Sequence, residues 1–136
     1  MCRLLAFSSL ERKSFYDVVG NEFDKFVAMS SEHKDGWGYA HDGQILKDVN
    51  PAHESDSLER AKSEVLTDGA LLHLRLASKG INVNIDNNHP FTYGTTTFMH
   101  NGTIRPGNTA EQFIADKYKG FLQGTTDSER FFYALL

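Results

Sequence analysis

Ala70-Leu-Leu-His-Leu-Arg-Leu-Ala77 is the stretch on which the reading of the fold turns. In an extended chain Leu72, Leu74 and Leu76 fall on one side, and His73, Arg75 and Ala77 on the other. A period of two predicts a β-strand with a core-facing row and a polar row. Outward from it the period changes. Phe15, Val18, Val19, Phe23, Phe26 and Val27 recur at three- and four-residue spacing behind Ser14, which predicts a capped helix over 15–30. Ser55 opens a second helix with Leu58, Ala61 and Val65 on one face. Residues 2–8 and 95–100 read as strands, the latter ending at Asn101-Gly102. Trp37 to Ala40 and Ile45 to Val49 flank Asp42-Gly43, a hairpin signal. Thr109-Ala-Glu-Gln112 and Thr126-Asp-Ser-Glu129 carry the capping-box pattern, and each predicts a helix start. Strict βαβ alternation is absent, so the class is α+β or a layered α/β arrangement rather than a doubly wound sheet.

A chain of 136 residues is one domain's worth, and no repeat or Pro/Gly/Ser-rich linker divides it. At 40% apolar and 24% charged, the composition is that of a globular protein, which excludes a disordered or collagen-like chain. The net charge of -4 argues against nucleic acid as a partner. No apolar run approaches the roughly 18 residues that span a bilayer, so no membrane role is expected. A single cysteine permits no internal disulfide, and the N-terminus has no export-signal pattern; a cytoplasmic location is the expectation.

Few residues offer chemistry. Cys2 has an ordinary reading, a small hydrophobe on the first strand. It also has a positional one. Removal of Met1 would leave a thiol and a free α-amine on one residue, and such an amine has a reference pKa of about 7.7–8.0. Nucleophile and general base then share a residue. Arg75 reads either as an edge-strand arginine reaching solvent or as a bidentate clamp for a substrate carboxylate. Asn101-Gly102 is a turn dipeptide whose side-chain amide and backbone N–H also suit an oxyanion. It heads an Asn-Gly-Thr sequon, set aside without a secretion signal. Asp127 complements a helix dipole or receives a substrate ammonium. The six histidines, 33, 41, 53, 73, 89 and 100, show no metal-motif spacing, so neither a metal nor another cofactor is expected. Gly36-Trp-Gly38 is a poor dinucleotide fingerprint, since position 41 is His and the context is a strand pair.

The order of these blocks is distinctive. Met1-Cys-Arg-Leu-Leu5, His33-Lys-Asp-Gly-Trp-Gly-Tyr39, His73-Leu-Arg-Leu-Ala-Ser78, His89-Pro-Phe91, His100-Asn-Gly102 and Thr126-Asp-Ser-Glu129 resemble the class II glutamine amidotransferases, above all their stand-alone members. The resemblance spans nearly the whole chain. It implies a four-layer αββα N-terminal-nucleophile hydrolase sandwich. It implies Cys2 as nucleophile, Asn101 and Gly102 as the oxyanion hole, Arg75 on the glutamine α-carboxylate and Asp127 on its α-ammonium. Leu76 and Ser78 match positions lining the glutamine pocket. Leu76 and Ser78-Lys79-Gly80 stand where the family often has Trp and Thr-His-Gly.

The implied activity is hydrolysis of the glutamine side-chain amide through a γ-glutamyl thioester on Cys2, giving ammonia and glutamate. An ammonia-accepting partner protein, free release of ammonia, or another γ-glutamyl amide as substrate all stay open. So do a non-catalytic glutamine-binding module and an amidase of the bile-salt or penicillin type. Phe131, Phe132, Leu135 and Leu136 form an apolar stripe without a closing cap. The expectation is that residues 1–136 are the N-terminal catalytic portion of the domain, incomplete at the C-terminus. An exposed apolar patch, or a homo-oligomer covering it, would follow.

Overall fold

The computed structural model describes residues 1–104 and 109–136. Strand β4 (Thr67–Leu74) is central, with β1 (Arg3–Lys13) on one side and β2 (Trp37–His41) on the other; β3 (Gln44–Asp48) pairs with β2. All pairings are antiparallel, in the order β1-β4-β2-β3. The β2–β3 turn is made by Asp42 and Gly43, at φ 47° and 74°, the left-handed pair that a two-residue hairpin requires. The Asp42 carboxylate then accepts from Arg12 Nη2 at 2.7 Å and Thr67 Oγ1 at 2.9 Å, which ties the turn to β1 and β4.

One face of this sheet carries helices. Leu72, Leu74, Trp37 and Tyr39 pack against Phe15, Phe23 and Leu58 from α1 (Phe15–Val19), α2 (Glu22–Ala28) and α3 (Asp56–Glu64). The expected single helix over 15–30 is two. Gly20, at φ 56°, leaves helical geometry, and its N–H closes α1 on Tyr16 O. A glycine costs a helix interior about 1 kcal/mol, and here its positive φ serves as a stop. The phenylalanines still reach one core, because the break preserves their side. Ser14 caps α1 with a reciprocal bond to Asp17, and Ser55 caps α3.

The other face of the sheet is covered in part, at Gly38 and His73. Leu4, His73, Gly38 and Lys47 form one row across the four strands. The segment His89-Pro90-Phe91 lies on this row. A Cβ on Gly38 would stand 1.9 Å from His89 O, so only glycine admits that approach. The segment leads into a second sheet, β5 (Phe91–Tyr93) with β6 (Thr96–Phe98), turning at Gly94. Phe91, Ile114, Tyr118 and Phe132 make its core with α4 (Asp116–Lys119) and α5 (Asp127–Leu135).

Several expectations need correction. The strand at 70–77 runs instead from Thr67 to Leu74, so Arg75 and Leu76 lie past its end. The polar row is not solvent-facing: His73 and Arg75 are buried under the second sheet's segment. The strand at 95–100 shrinks to three residues paired with an unforeseen β5, and Asn101-Gly102 joins no two strands. Thr109 begins a 3-10 turn, Thr109–Phe113, rather than an α-helix, and its predicted cap falls at the edge of the undescribed residues. Thr126 caps α5, but Glu129 does not return the bond; its carboxylate takes the N–H groups of Gln123 and Gly124 at 2.8 and 2.9 Å. The buried face of α5 runs through Ser128, Glu129, Phe132 and Tyr133, leaving Leu135 and Leu136 exposed. The chain is thus mixed α/β with antiparallel sheets, and no helix among the described residues is long and apolar enough to cross a membrane.

Candidate active site

The register of β1 against β4 decides where the site forms. Arg3 pairs with Leu74, so one further step puts Cys2 opposite Arg75. Cys2 Sγ lies 3.4 Å from Leu76 N, which donates to it, and 3.6 Å from Leu76 O. The backbone beyond β4 is fixed from its other side. Arg75 N donates to Gly36 O at 2.8 Å, and Ala77 N donates to the Asp35 carboxylate at 2.8 Å.

Cys2, Arg75, Leu76, Ser78, Gly102 and Asp127 line one narrow cleft of about 50 Å3. These are six of the seven residues singled out in the sequence. The seventh, Asn101, is exposed and does not line the cleft, although its neighbours His100 and Gly102 do. Gly102 is sterically required, since a Cβ there would meet His100 Nε2 at 2.9 Å.

Arg75 is 4% exposed. Its Nη1 donates to Asn88 Oδ1 and its Nη2 to Asn82 O, each at 3.0 Å. Burial lowers its pKa from the usual arginine value, while Asp35 and Cys2 pull it upward. Asp127 sits at the start of α5, where its carboxylate accepts from Ile104 N and from Ser128 N. A cation ligand and an anion ligand therefore flank the thiol in one cleft, which suits a zwitterion beside a nucleophile.

The sequence reading gave no role to several residues found here. His89 and His100 line the cleft; they sit in blocks quoted above, but nothing in their spacing assigned them work. His100 Nδ1 is 3.0 Å from Ser128 Oγ. His89 stacks on His73 with ring centroids 4.5 Å apart, and neither of its ring nitrogens has a hydrogen-bond partner among the described residues. Burial pushes His73 down to about 4 and His89 lower still, so both rings are neutral at pH 7. Lys47, half-buried over the Phe91 ring, is pushed down to about 8 by desolvation. Asn82, Asn87 and Asn88 had no distinguishing signal in an asparagine-rich loop. Among the described residues no cluster of His, Cys, Asp and Glu could hold a metal ion.

A wider cleft of about 560 Å3 opens at the Asp42–Gly43 end of the sheet. It is lined by Asp42, Asp68, Thr95 and Thr97 and contains no thiol. The smaller cleft is the candidate site because reactive and charged side chains converge there, which volume alone does not reveal.

The sequence pattern of the family described as Glutamine amidotransferases class-II matches residues 1–136. The probable glutamine amidotransferase DUG3 of Saccharomyces cerevisiae is 30% identical over 154 residues, covering 95% of this chain and 43% of the yeast protein. A solved glutamine aminotransferase class-II domain protein from Silicibacter pomeroyi superposes with a TM-score of 0.65 at 23% identity, covering 98% of this chain and 53% of that one. The second likeness is one of fold. The chain spans about half the length of both.

Proposed function

The chain belongs to the class-II glutamine amidotransferases, and from that premise we propose that it hydrolyses the side-chain amide of glutamine with Cys2 as nucleophile. The observation that carries this reading is the convergence of Cys2, Arg75 and Asp127, from three distant segments, on one cleft. Met1 is 80% exposed, open to an aminopeptidase. Its removal frees the Cys2 amine.

That amine takes the thiol proton as sulfur attacks the side-chain carbonyl carbon. The carbonyl oxygen gains the negative charge, and Gly102 N–H with the Asn101 amide would receive it; losing one such donor typically costs about 100–1,000-fold. As the C–N bond breaks, the ammonium proton passes from the amine to the leaving nitrogen, and ammonia departs. Water then adds to the γ-glutamyl thioester, giving glutamate and regenerating the thiol. Arg75 would hold the α-carboxylate and Asp127 the α-ammonium, with Leu76 and Ser78 along the side chain. No cofactor enters these steps.

The two cores, one joining α1–α3 to the large sheet and one joining the small sheet to α4 and α5, support the four-layer αββα arrangement. A reducing cytoplasm fits a mechanism that needs the lone cysteine as a thiol. The ammonia would pass to an accepting partner protein or be released.

The test is ammonia release from glutamine by chain shown by intact mass to start at Cys2. Cys2→Ala should abolish turnover and leave the melting temperature within a few degrees. Full activity in that variant, or in chain retaining Met1, would refute the nucleophile. Tight glutamine binding without turnover would favour a glutamine-binding module.

A further inference from the structure

Asn87 and Asn88 are adjacent, both completely buried, and neither belongs to the chemistry above. Their side chains diverge. Asn88 Oδ1 accepts from Arg75 Nη1 at 3.0 Å, and its Nδ2 donates to Asp48 O at 2.7 Å. A guanidinium offers only donors and a carbonyl only acceptors, so the amide has one orientation that satisfies both. Gly36 makes room for it: a Cβ there would lie 2.3 Å from Asn88 Nδ2. Asn87 itself lines the cleft and reaches toward the start of α5. Its Oδ1 accepts from Thr125 N at 2.7 Å, two residues before Asp127, and its Nδ2 donates to Asn82 O at 3.1 Å. The same Asn82 carbonyl takes Arg75 Nη2 at 3.0 Å. Gly124 lets the loop close, since a Cβ would meet Asn87 Oδ1 at 2.5 Å.

One dipeptide therefore grips the arginine with one side chain and the approach to the aspartate with the other. We propose that Asn87 and Asn88 are positioning residues that set the separation of Arg75 from Asp127, and thereby select a free α-amino acid head over one with its carboxylate or amine blocked. This rests on the glutamine-hydrolysing reading above. An isolated carboxylate finds Arg75 whatever the position of Asp127; a zwitterion is matched only when both ligands are held at the right distance.

The experiment compares L-glutamine, its α-methyl ester and N-acetyl-L-glutamine on the full chain. The wild type should turn over glutamine and prefer it to both analogues. If it turns over no glutamine, the functional reading fails and this proposal falls with it. Asn88→Ala should raise the KM for glutamine roughly 10-fold, the scale of one hydrogen bond to a charged group, with kcat nearly unchanged. Preference over the ester should fall by a similar factor, while preference over the N-acetyl compound is kept. Asn87→Ala should erode the N-acetyl preference instead. Asn88→Asp keeps the contact to Arg75 and adds a charge that competes with the substrate carboxylate, at the cost of the donation to Asp48 O, so it should raise the KM for glutamine more than that for the ester. Parallel losses on all three substrates, or unchanged preferences, overturn the proposal while leaving the glutaminase reading intact. So does failure of both Asn88 variants to fold, which would make that residue purely a folding element.

Discussion

Gly38→Ala tests whether the second sheet's approach to the first positions the active site. The added Cβ would fall 1.9 Å from His89 O and 2.9 Å from His89 C. Real Cβ contacts stay at or above 3.0 Å, so one backbone must retreat by about 1.1 Å, the difference between 3.0 and 1.9. Gly38 sits in the interior of β2, paired on both sides with His73 and Lys47, so the sheet is the stiffer partner. The retreat then falls on His89 and on Asn88 next to it, which holds Arg75. Overpacking typically costs 1–3 kcal/mol, and a clash with backbone belongs at the upper end, about 3 kcal/mol. For a chain this size that is on the order of 10 °C in melting temperature. A displacement near 1 Å in a positioning group costs on the order of 100-fold in kcat/KM. Gly120→Ala is the control: nothing lies within 4 Å of its Cβ and its φ is -70°, so it should stabilise by about 0.4–1 kcal/mol. Thermal melting and ammonia release measure both variants. A Gly38→Ala protein that melts within 2 °C of wild type (a threshold of about half a kcal/mol) and keeps its kcat/KM would refute the reasoning.

Arg75→Ala and Asp127→Ala should each weaken glutamine binding by roughly 10- to 150-fold, from the 1.5–3 kcal/mol of a charge-assisted hydrogen bond, whereas Asn101→Ala should lower turnover; normal kinetics in all three would displace the site. The buried His73 titrates near 4 instead of its usual 6.5, chiefly through desolvation. Its folded-state pKa is depressed, so the stability that comes from keeping it neutral is present above 6.5 and is lost as the pH falls toward 4. Between pH 6.5 and 5 the loss is about 2 kcal/mol for this residue. Urea midpoints across that range should therefore fall less steeply for His73→Phe than for wild type; equal slopes would mean that the ring is not the source.

What the sequence disclosed depended on range. Alternation at 70–74 and apolar spacing at 15–27 are local, and both survive in the fold, the first only as far as Leu74 and the second across two helices, because apolar spacing decides which side of an element faces the core. Ser14, Ser55 and Thr126 cap the helices they were expected to cap, since a cap acts within three residues. The sequence left Arg75 open between a solvent-reaching arginine and a clamp because burial on that face comes from His89-Pro90-Phe91, and no local pattern reveals a covering segment. The three-residue strand β5 was missed because so short a run has no period. Cys2, Arg75 and Asp127 were legible only through the order of six blocks. The asparagines that brace Arg75 were invisible, because their meaning lies in carbonyls of Asp48 and Asn82 rather than in neighbouring side chains.

The hydrophobic core and the active site are two faces of one register. Leu5 and Phe7 on β1 face the helical core with Leu72 and Leu74, so Cys2 shares the opposite face with Leu4 and Ala6, and Arg75 shares it with His73. Directly opposed residues of antiparallel strands are about 4.5–5.5 Å apart at Cα. On the proposed function, that spacing would bring the thiol within reach of a substrate whose carboxylate Arg75 would hold. A slip of one residue would move Cys2 about 3.4 Å along β4 and turn its side chain into the helical core. It would also expose Leu5 and Phe7, at a cost of about 1.5–3 kcal/mol for each such side chain. The core thus enforces the register, and the register sets the distance between Cys2 and Arg75. Cys2, one step before β1, takes its position from that register and from the Leu76 backbone. Truncating Phe7 to alanine, far from the cleft, should on this argument loosen Cys2 before it unfolds the sheet. The sign would be a fall in kcat at temperatures well below the melting transition, with KM for glutamine unchanged because Arg75 and Asp127 are held by other segments. A Phe7→Ala protein that loses stability but keeps its wild-type kcat until it melts would separate the core from the chemistry and sink the argument.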